Sequence, residues 1–314
     1  MPSLKFLARR FADRTFGTQF DRALDRARQD SRKRFLFFWN RGLGDIALGL
    51  VPLFLRIRDE LPGAKIDVVT REELRAPFEL AHVDALHVVK DLQREARIDF
   101  REAAPELGIE LDRYAAVFEY PDPNRWLVGR RREHPPILPW NRRWDTLVSR
   151  FPQIATGRLV IGAHVHSETA GYYGYVKDWP VASWAELMRR FGDESRVQWV
   201  LFGQRAEIPL EGANVLDLRG KTGFAELMSL VKNRCRVLIA PDSGILTMAY
   251  YLDAPFALEV LSLWADPRQG ILLQDCASPN PRLRHVALQS PGEDILRLPV
   301  EDVEKALREA IART

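Results

Sequence analysis

Cysteine is scarce: two residues in 314, Cys235 and Cys276, far apart and without metal-ligand spacing. That excludes a disulfide framework and leaves both as buried thiols. Long apolar runs are missing as well. No stretch approaches the roughly 18 residues needed to cross a bilayer, and the N-terminus lacks the apolar core of a secretion signal. The expected compartment is the cytoplasm. No nucleophile elbow or phosphate-binding P-loop occurs, and Gly42-Leu43-Gly44 lacks the third glycine of a dinucleotide fingerprint. Charge of one sign is not in large excess, at a net +3, so composition alone names no partner. What remains, 46% hydrophobic and 28% charged residues, suits a soluble globular protein long enough for two domains.

The charge that is present is unevenly spread. Residues 1–34 hold ten Lys or Arg against four Asp, and the remainder is slightly acidic. In this arm Leu4, Leu7 and Phe11, then Phe16, Phe20 and Leu24, recur at helical steps broken near Gly17. Two readings fit. The arm adsorbs to an anionic membrane surface, or it packs on the body or on a partner chain.

Phe35 to Trp39 is an uninterrupted apolar run, the mark of a strand buried on both faces. After Asn40 the residues Arg41-Gly42-Leu43-Gly44-Asp45 make a tight turn, and Ile46 to Arg58 has helical spacing with Pro52 against it. A strand, a glycine turn and a helix start put Asp45 at the carboxyl edge of a sheet, where open α/β proteins hold ligands. A turn and strand are expected over 63–70 and strands at 85–89 and 115–119, with helices at 72–80 and 99–107 between them. A second alternation begins at Leu159, with strands at 159–163, 198–202, 215–218, 236–240 and 256–261, and helices at 181–191, 224–232 and 245–252. The boundary between the halves is expected near 150–158, with a cleft between them.

Between the halves the pattern dissolves into prolines, arginines and tryptophans. Arg125, Arg130, Arg131, Arg132, Arg142 and Arg143 interleave with Trp126, Trp140 and Trp144. Guanidinium forks bind phosphate and carboxylate in two-point fashion and stack on indoles, so the segment suits an anionic saccharide or lipid acceptor. Nucleic acid also suits it, as does a solvated loop with its tryptophans tucked inward. Pro241-Asp242-Ser243-Gly244 lies between a strand and a helix, as an anion site or as an ordinary N-cap. Lys177 is either a point charge for a diphosphate or a surface lysine. His164 and His166 share one face, as metal ligands or as polar residues at an edge.

The order of GD after the first strand, then KDWP, FGQRAE, LRGKTGFAELMSL and PDSG resembles glycosyltransferase family 9, the ADP-heptose:lipopolysaccharide heptosyltransferases. The resemblance spans about residues 35–265. It implies an α/β fold of the GT-B kind, two facing Rossmann-like domains with parallel sheets and an interdomain cleft. The expected parts are a basic arm at 1–34, an acceptor domain at 35–154 and a nucleotide-sugar domain at 155–314. By the family pattern Asp45 is the catalytic base and Lys177 the diphosphate partner. Glu207 lies near the ribose and Thr222 near the base, while Asp242, Ser243 and Gly244 meet the donor sugar and phosphate. Thr247 stands where the family shows a histidine, and Leu261 to Trp264 replace a glycine-containing turn. The activity implied is inverting, metal-independent and cofactor-free transfer of a sugar, a heptose in the family, from a nucleotide sugar to a lipopolysaccharide core or related glycan. Its place would be the cytoplasm, on the inner face of the membrane if the arm adsorbs, with no nucleic acid partner. The alternatives are a catalytically silent nucleotide-sugar or glycan binder and a sugar-nucleotide epimerase on the same fold.

Overall fold

The computed structural model describes residues 17–167, 176–206 and 208–314. Packing divides the chain into two units: Met1–Arg41 with Gly49–Pro136, and Gly42–Leu48 with Ile137–Thr314. The turn that carries Asp45 therefore belongs with the second unit, although the strand before it belongs to the first.

In the first unit helix α1 (Gln19–Gln29) starts at Thr18, whose hydroxyl accepts from the Asp21 amide while the Asp21 carboxylate takes the Thr18 amide at 2.7 Å. Gly17 before it has φ +71, which breaks the helical spacing of the arm at that point. Phe20, Ala23, Leu24 and Ala27 are buried. Burial of Phe20 and Leu24 contributes about 2 kcal/mol each, so this part of the arm packs on the body. The rest of the amphipathic pattern, residues 1–16, lies outside the described residues.

Strand β1 (Arg34–Trp39) pairs in parallel with β2 (Lys65–Arg71) and β4 (Ala116–Phe118), and β3 (Ala85–Val89) pairs with β2, in the order β3-β2-β1-β4. Phe35 to Trp39 are all buried, as expected of a central strand covered on both faces. Pro52 fits without a break. The chain runs through a π-helical stretch, Ile46–Leu50, and only then enters α2 (Val51–Glu60), where the proline occupies the first turn and no amide is needed. α3 (Arg75–Phe78), α4 (Phe100–Glu106) capped by Asp99, and α5 (Pro123–Trp126) complete the unit. Trp126 stacks on Phe20 at 5.5 Å and meets Phe118 at 5.2 Å.

The second unit opens with β5 (Leu138–Pro139), paired with the two-residue β10 (Leu252–Asp253), and a 3-10 stretch at Arg142–Arg150. Its main sheet has the order β12-β11-β9-β6-β7-β8, all pairs parallel. The strands are β6 (Leu159–His164), β7 (Val197–Phe202), β8 (Val215–Asp217), β9 (Cys235–Pro241), β11 (Leu258–Trp264) and β12 (Leu283–Gln289). Its helices are α6 (Val181–Arg190), α7 (Phe224–Asn233), α8 (Gly244–Tyr250), α9 (Gly270–Gln274) and α10 (Val300–Ala312). One core joins Trp179, Trp184, Trp199, Val237, Ile239, Leu261 and the inner face of α10. Leu261 to Trp264 do not form a turn. They extend β11 by four residues, because all four side chains are buried and the strand is paired on both sides. Two parallel sheets with helical crossovers are the α/β architecture the spacing implied.

Candidate active site

At the end of β1, Asn40 donates to the carbonyls of Gln93 at 3.1 Å and Ala96 at 2.7 Å, which fixes where the chain leaves the sheet. Arg41 lies 4.3 Å over the Trp39 ring and donates to the Pro121 carbonyl. Then comes the turn. A Cβ on Gly42 would lie 2.7 Å from Oδ2 of Asp45, so the glycine leaves room for the carboxylate. A Cβ on Gly44 would lie 3.4 Å from both the Gly244 Cα and the Thr247 Oγ1, and one on Gly244 would lie 2.7 Å from the Leu43 Cβ. Within the second unit the Asp45 turn and the start of α8 thus touch almost backbone to backbone, an approach that two glycines permit.

Ser243 caps α8, its hydroxyl accepting from the Leu246 amide at 3.2 Å. The Thr247 hydroxyl donates back to the Ser243 carbonyl at 3.1 Å and is buried. Just before the cap, Asp242 receives the Lys177 ammonium at 2.7 Å, and the two side chains are only 14% and 11% exposed. Sixty-five positions separate them in sequence. Lys177 is not a surface lysine.

Beside Lys177 the Asp178 carboxylate accepts from the Ser167 amide at 2.5 Å and lies 2.9 Å from Nδ1 of His166. Burial pushes the Asp178 carboxyl above the ordinary carboxylate range, against that amide and the charge of His166 and Lys177. His164 is buried, and its imidazole is pushed down to about 4 by burial and then by His166. The two histidines therefore diverge, one paired and one neutral in the core. Among the described residues no group of three or more His, Cys, Asp or Glu side chains is placed to hold a metal ion.

The remaining expected residues separate. Glu207 lies outside the described residues. Thr222, in the loop between β8 and α7, has its hydroxyl buried without a hydrogen-bond partner. Arg125, Arg130, Arg131 and Arg132 belong to the first unit, whereas Arg142 and Arg143 belong to the second. Their tryptophans are structural. Trp126 is in the first core, and Trp144 sits between Trp140 at 5.6 Å and Phe224 at 6.0 Å. Proline breaks in that segment hid short helical turns with buried inner faces.

A basic cluster that the sequence reading passed over stands at the carboxyl edge of the first unit's sheet. Arg71 ends β2, donates to the carbonyls of Asn40 and Arg41, and pairs with Glu73 at 3.2 Å. Burial lowers its guanidinium from its ordinary value, and the like charge of Arg94 adds to that. Arg94 pairs with Glu95 at 3.8 Å, and Arg97 lies 5.0 Å over the Tyr120 ring. The signal available in sequence was their place after the strands, at Arg41, Arg71 and the QREAR run.

Residues 151–266 match the model of glycosyltransferase family 9 (heptosyltransferase). No curated protein matches significantly. Among solved structures the chain is similar to the Escherichia coli ADP-heptose lipopolysaccharide heptosyltransferase II, at 18% identity and TM-score 0.54, over 89% of this chain and 99% of that one. It is similar to a family 9 glycosyltransferase from Veillonella parvula, at 16% identity and TM-score 0.59, over 90% of this chain and 98% of that one. It is also similar to the Escherichia coli heptosyltransferase WaaC with ADP, at 17% identity and TM-score 0.52, over 89% and 98% of the two chains. These likenesses establish the GT-B fold, and the family model adds the class of chemistry. The match to glycosyltransferase family 9 thus covers residues 151–266, within a chain whose fold is that of the GT-B glycosyltransferases.

Proposed function

We propose that the protein is an inverting glycosyltransferase that moves a sugar from a nucleoside diphosphate, an ADP-heptose-like donor, to an anionic glycolipid core or related glycan. The reading is supported above all by one observation. The Asp45 turn packs on the start of α8 beside Asp242, which holds Lys177 at 2.7 Å. In this reading Asp45 takes the proton of the acceptor hydroxyl as its oxygen attacks the anomeric carbon. The bond to the diphosphate breaks on the opposite face, and the configuration inverts. Lys177 and the backbone amides at 243–245 meet the charge that develops on the leaving group, so the step runs without a metal ion. Asp242 keeps Lys177 charged and aimed.

The arginines at 41, 71, 94 and 97 are assigned to the acceptor's acidic groups, because paired guanidinium forks at a sheet edge suit carboxylate and phosphate. Arg125, Arg130, Arg131, Arg132, Arg142 and Arg143 serve as outer contacts at most. No described helix is long and apolar enough to cross a membrane. An acceptor held in the cytoplasmic membrane would bring the protein to that surface, with residues 1–16 as its basic contact.

A thermal-shift screen over ADP, UDP, GDP and their sugars tests the donor assignment. One nucleoside diphosphate should raise Tm by mass action, and Lys177→Ala should weaken its binding about tenfold. Unchanged affinity in that variant would place the diphosphate elsewhere. Release of nucleoside diphosphate that depends on added acceptor separates transfer from epimerisation and from silent binding.

A further inference from the structure

Asp242 is held from behind as well as by Lys177. The strand register sets Leu263 of β11 beside Pro241 of β9, which brings Trp264 level with Asp242. Gly270, at φ +51, closes the gap. A Cβ there would lie 2.5 Å from Oδ1 of Asp242 and 2.7 Å from Cη2 of Trp264, so any side chain would displace the carboxylate or the indole. The indole is itself tied down. Its N–H donates to the Ser262 hydroxyl at 2.6 Å, and the same hydroxyl lies 2.6 Å from Nε2 of His285 on β12.

An indole nitrogen only donates, so Ser262 accepts from Trp264. The bond between the Ser262 hydroxyl and Nε2 of His285 runs in the direction that the ring's tautomer sets. Burial pushes the His285 imidazole down to about 4, which keeps it neutral across the physiological range. Trp264 and Ser262 are fully buried, so water does not compete for these bonds. His285 also meets Tyr250 of α8 edge-on at 5.2 Å.

We propose that Trp264, held by Ser262 and His285, and Gly270 are positioning residues that fix the Asp242 carboxylate against Lys177. The inference deepens the reading of Lys177 and Asp242 as the donor site and rests on it for its effect on substrate. It gives a role to two of the four residues, Ser262 and Trp264, by which this chain departs from the family's glycine-containing turn. The extended strand brings a tryptophan to the place where Asp242 needs a wall.

The test uses the whole protein. Trp264→Phe removes the N–H and the outer ring atom that bears on Gly270. Gly270→Ala puts a methyl group onto Oδ1. Each should weaken ADP binding five- to tenfold by calorimetry, Ser262→Ala should do so about threefold, and in an Asp242→Asn background none should change affinity further. Equal losses in both backgrounds would overturn the proposal, because the effect would not run through the carboxylate. A second readout needs no nucleotide. In NMR titrations of 13C-lysine-labelled protein, Asp242→Asn should lower the Lys177 pKa, and Trp264→Phe should lower it part of the way. No shift in Trp264→Phe would overturn the proposal, whereas a wild type that takes no ADP but shows the shift would overturn only the donor reading.

Discussion

At the carboxyl edge of the first unit's sheet Arg41, Arg71, Arg94 and Arg97 gather within one run of loops, and Arg71 and Arg94 repel each other. The same edge of the second unit holds a lysine bonded to an aspartate, with a glycine shaped to the carboxylate. One edge is an excess of positive charge kept close by backbone carbonyls and a few glutamates. The other is balanced and nearly closed to water. Clustered guanidinium groups lose repulsion when an anion arrives, so the first edge is suited to a ligand that brings its own carboxylates or phosphates. A paired ammonium keeps its place before any ligand comes, which suits an edge whose task is to stabilise charge that appears during reaction.

The largest expected effect tests where the proton goes. Asp45→Asn keeps the shape of the turn and its room beside Gly42 while removing the proposed base, and should lower kcat by about 100- to 10000-fold with nucleotide affinity nearly unchanged. Turnover close to wild type would remove Asp45 from the chemistry and leave the balanced edge as a binding site only. A middle-sized effect tests the arginine edge. Arg94→Gln with Arg97→Gln should raise the acceptor KM about tenfold, flatten its dependence on salt and leave nucleotide binding alone. A loss confined to kcat would break the contrast between the two edges.

Much of this was legible from residue order. Phe35 to Trp39, and the apolar stretches Trp199 to Phe202 and Val237 to Ala240 within the expected strands 198–202 and 236–240, read as buried strands, and they are. The candidate residues Asp45, Asp242 and Ser243 were legible as strand-end and helix-start positions, and Lys177 only through the family pattern. Their partners were not. The bond between Lys177 and Asp242 spans 65 positions, and that between His285 and Ser262 spans 23, so both depend on strand order that periodicity does not state. β12 went unread because none of its residues is fully buried and its apolar run, Val286 to Leu288, is only three residues long. Trp126, Trp140 and Trp144 looked like a binding surface because arginines lie beside them, yet short turns aim the rings inward and the guanidinium groups outward.

The smallest effect concerns acid, and it separates the units again. His164 and His285 both lie in the second unit, and burial holds each at about 4 against an ordinary 6.5. The unfolded chain binds protons at these rings before the folded one does. Their contribution is therefore complete above pH 6.5 and is lost as pH falls from 6.5 to 4, at most about 3 kcal/mol for the fully buried His164. Asp178 acts in the opposite sense, since its carboxyl holds a proton more readily folded than unfolded, and so reduces the net slope. Amide exchange at pH 7 and pH 5 should show β6 and β12 losing protection ahead of β1 and β2. In His285→Phe the loss at β12 should shrink while that at β6 remains. Loss of protection in β1 and β2 at the same pH would mean that acid acts on the arginine-rich unit instead, through carboxylates held below their ordinary range such as Asp84 and Asp21.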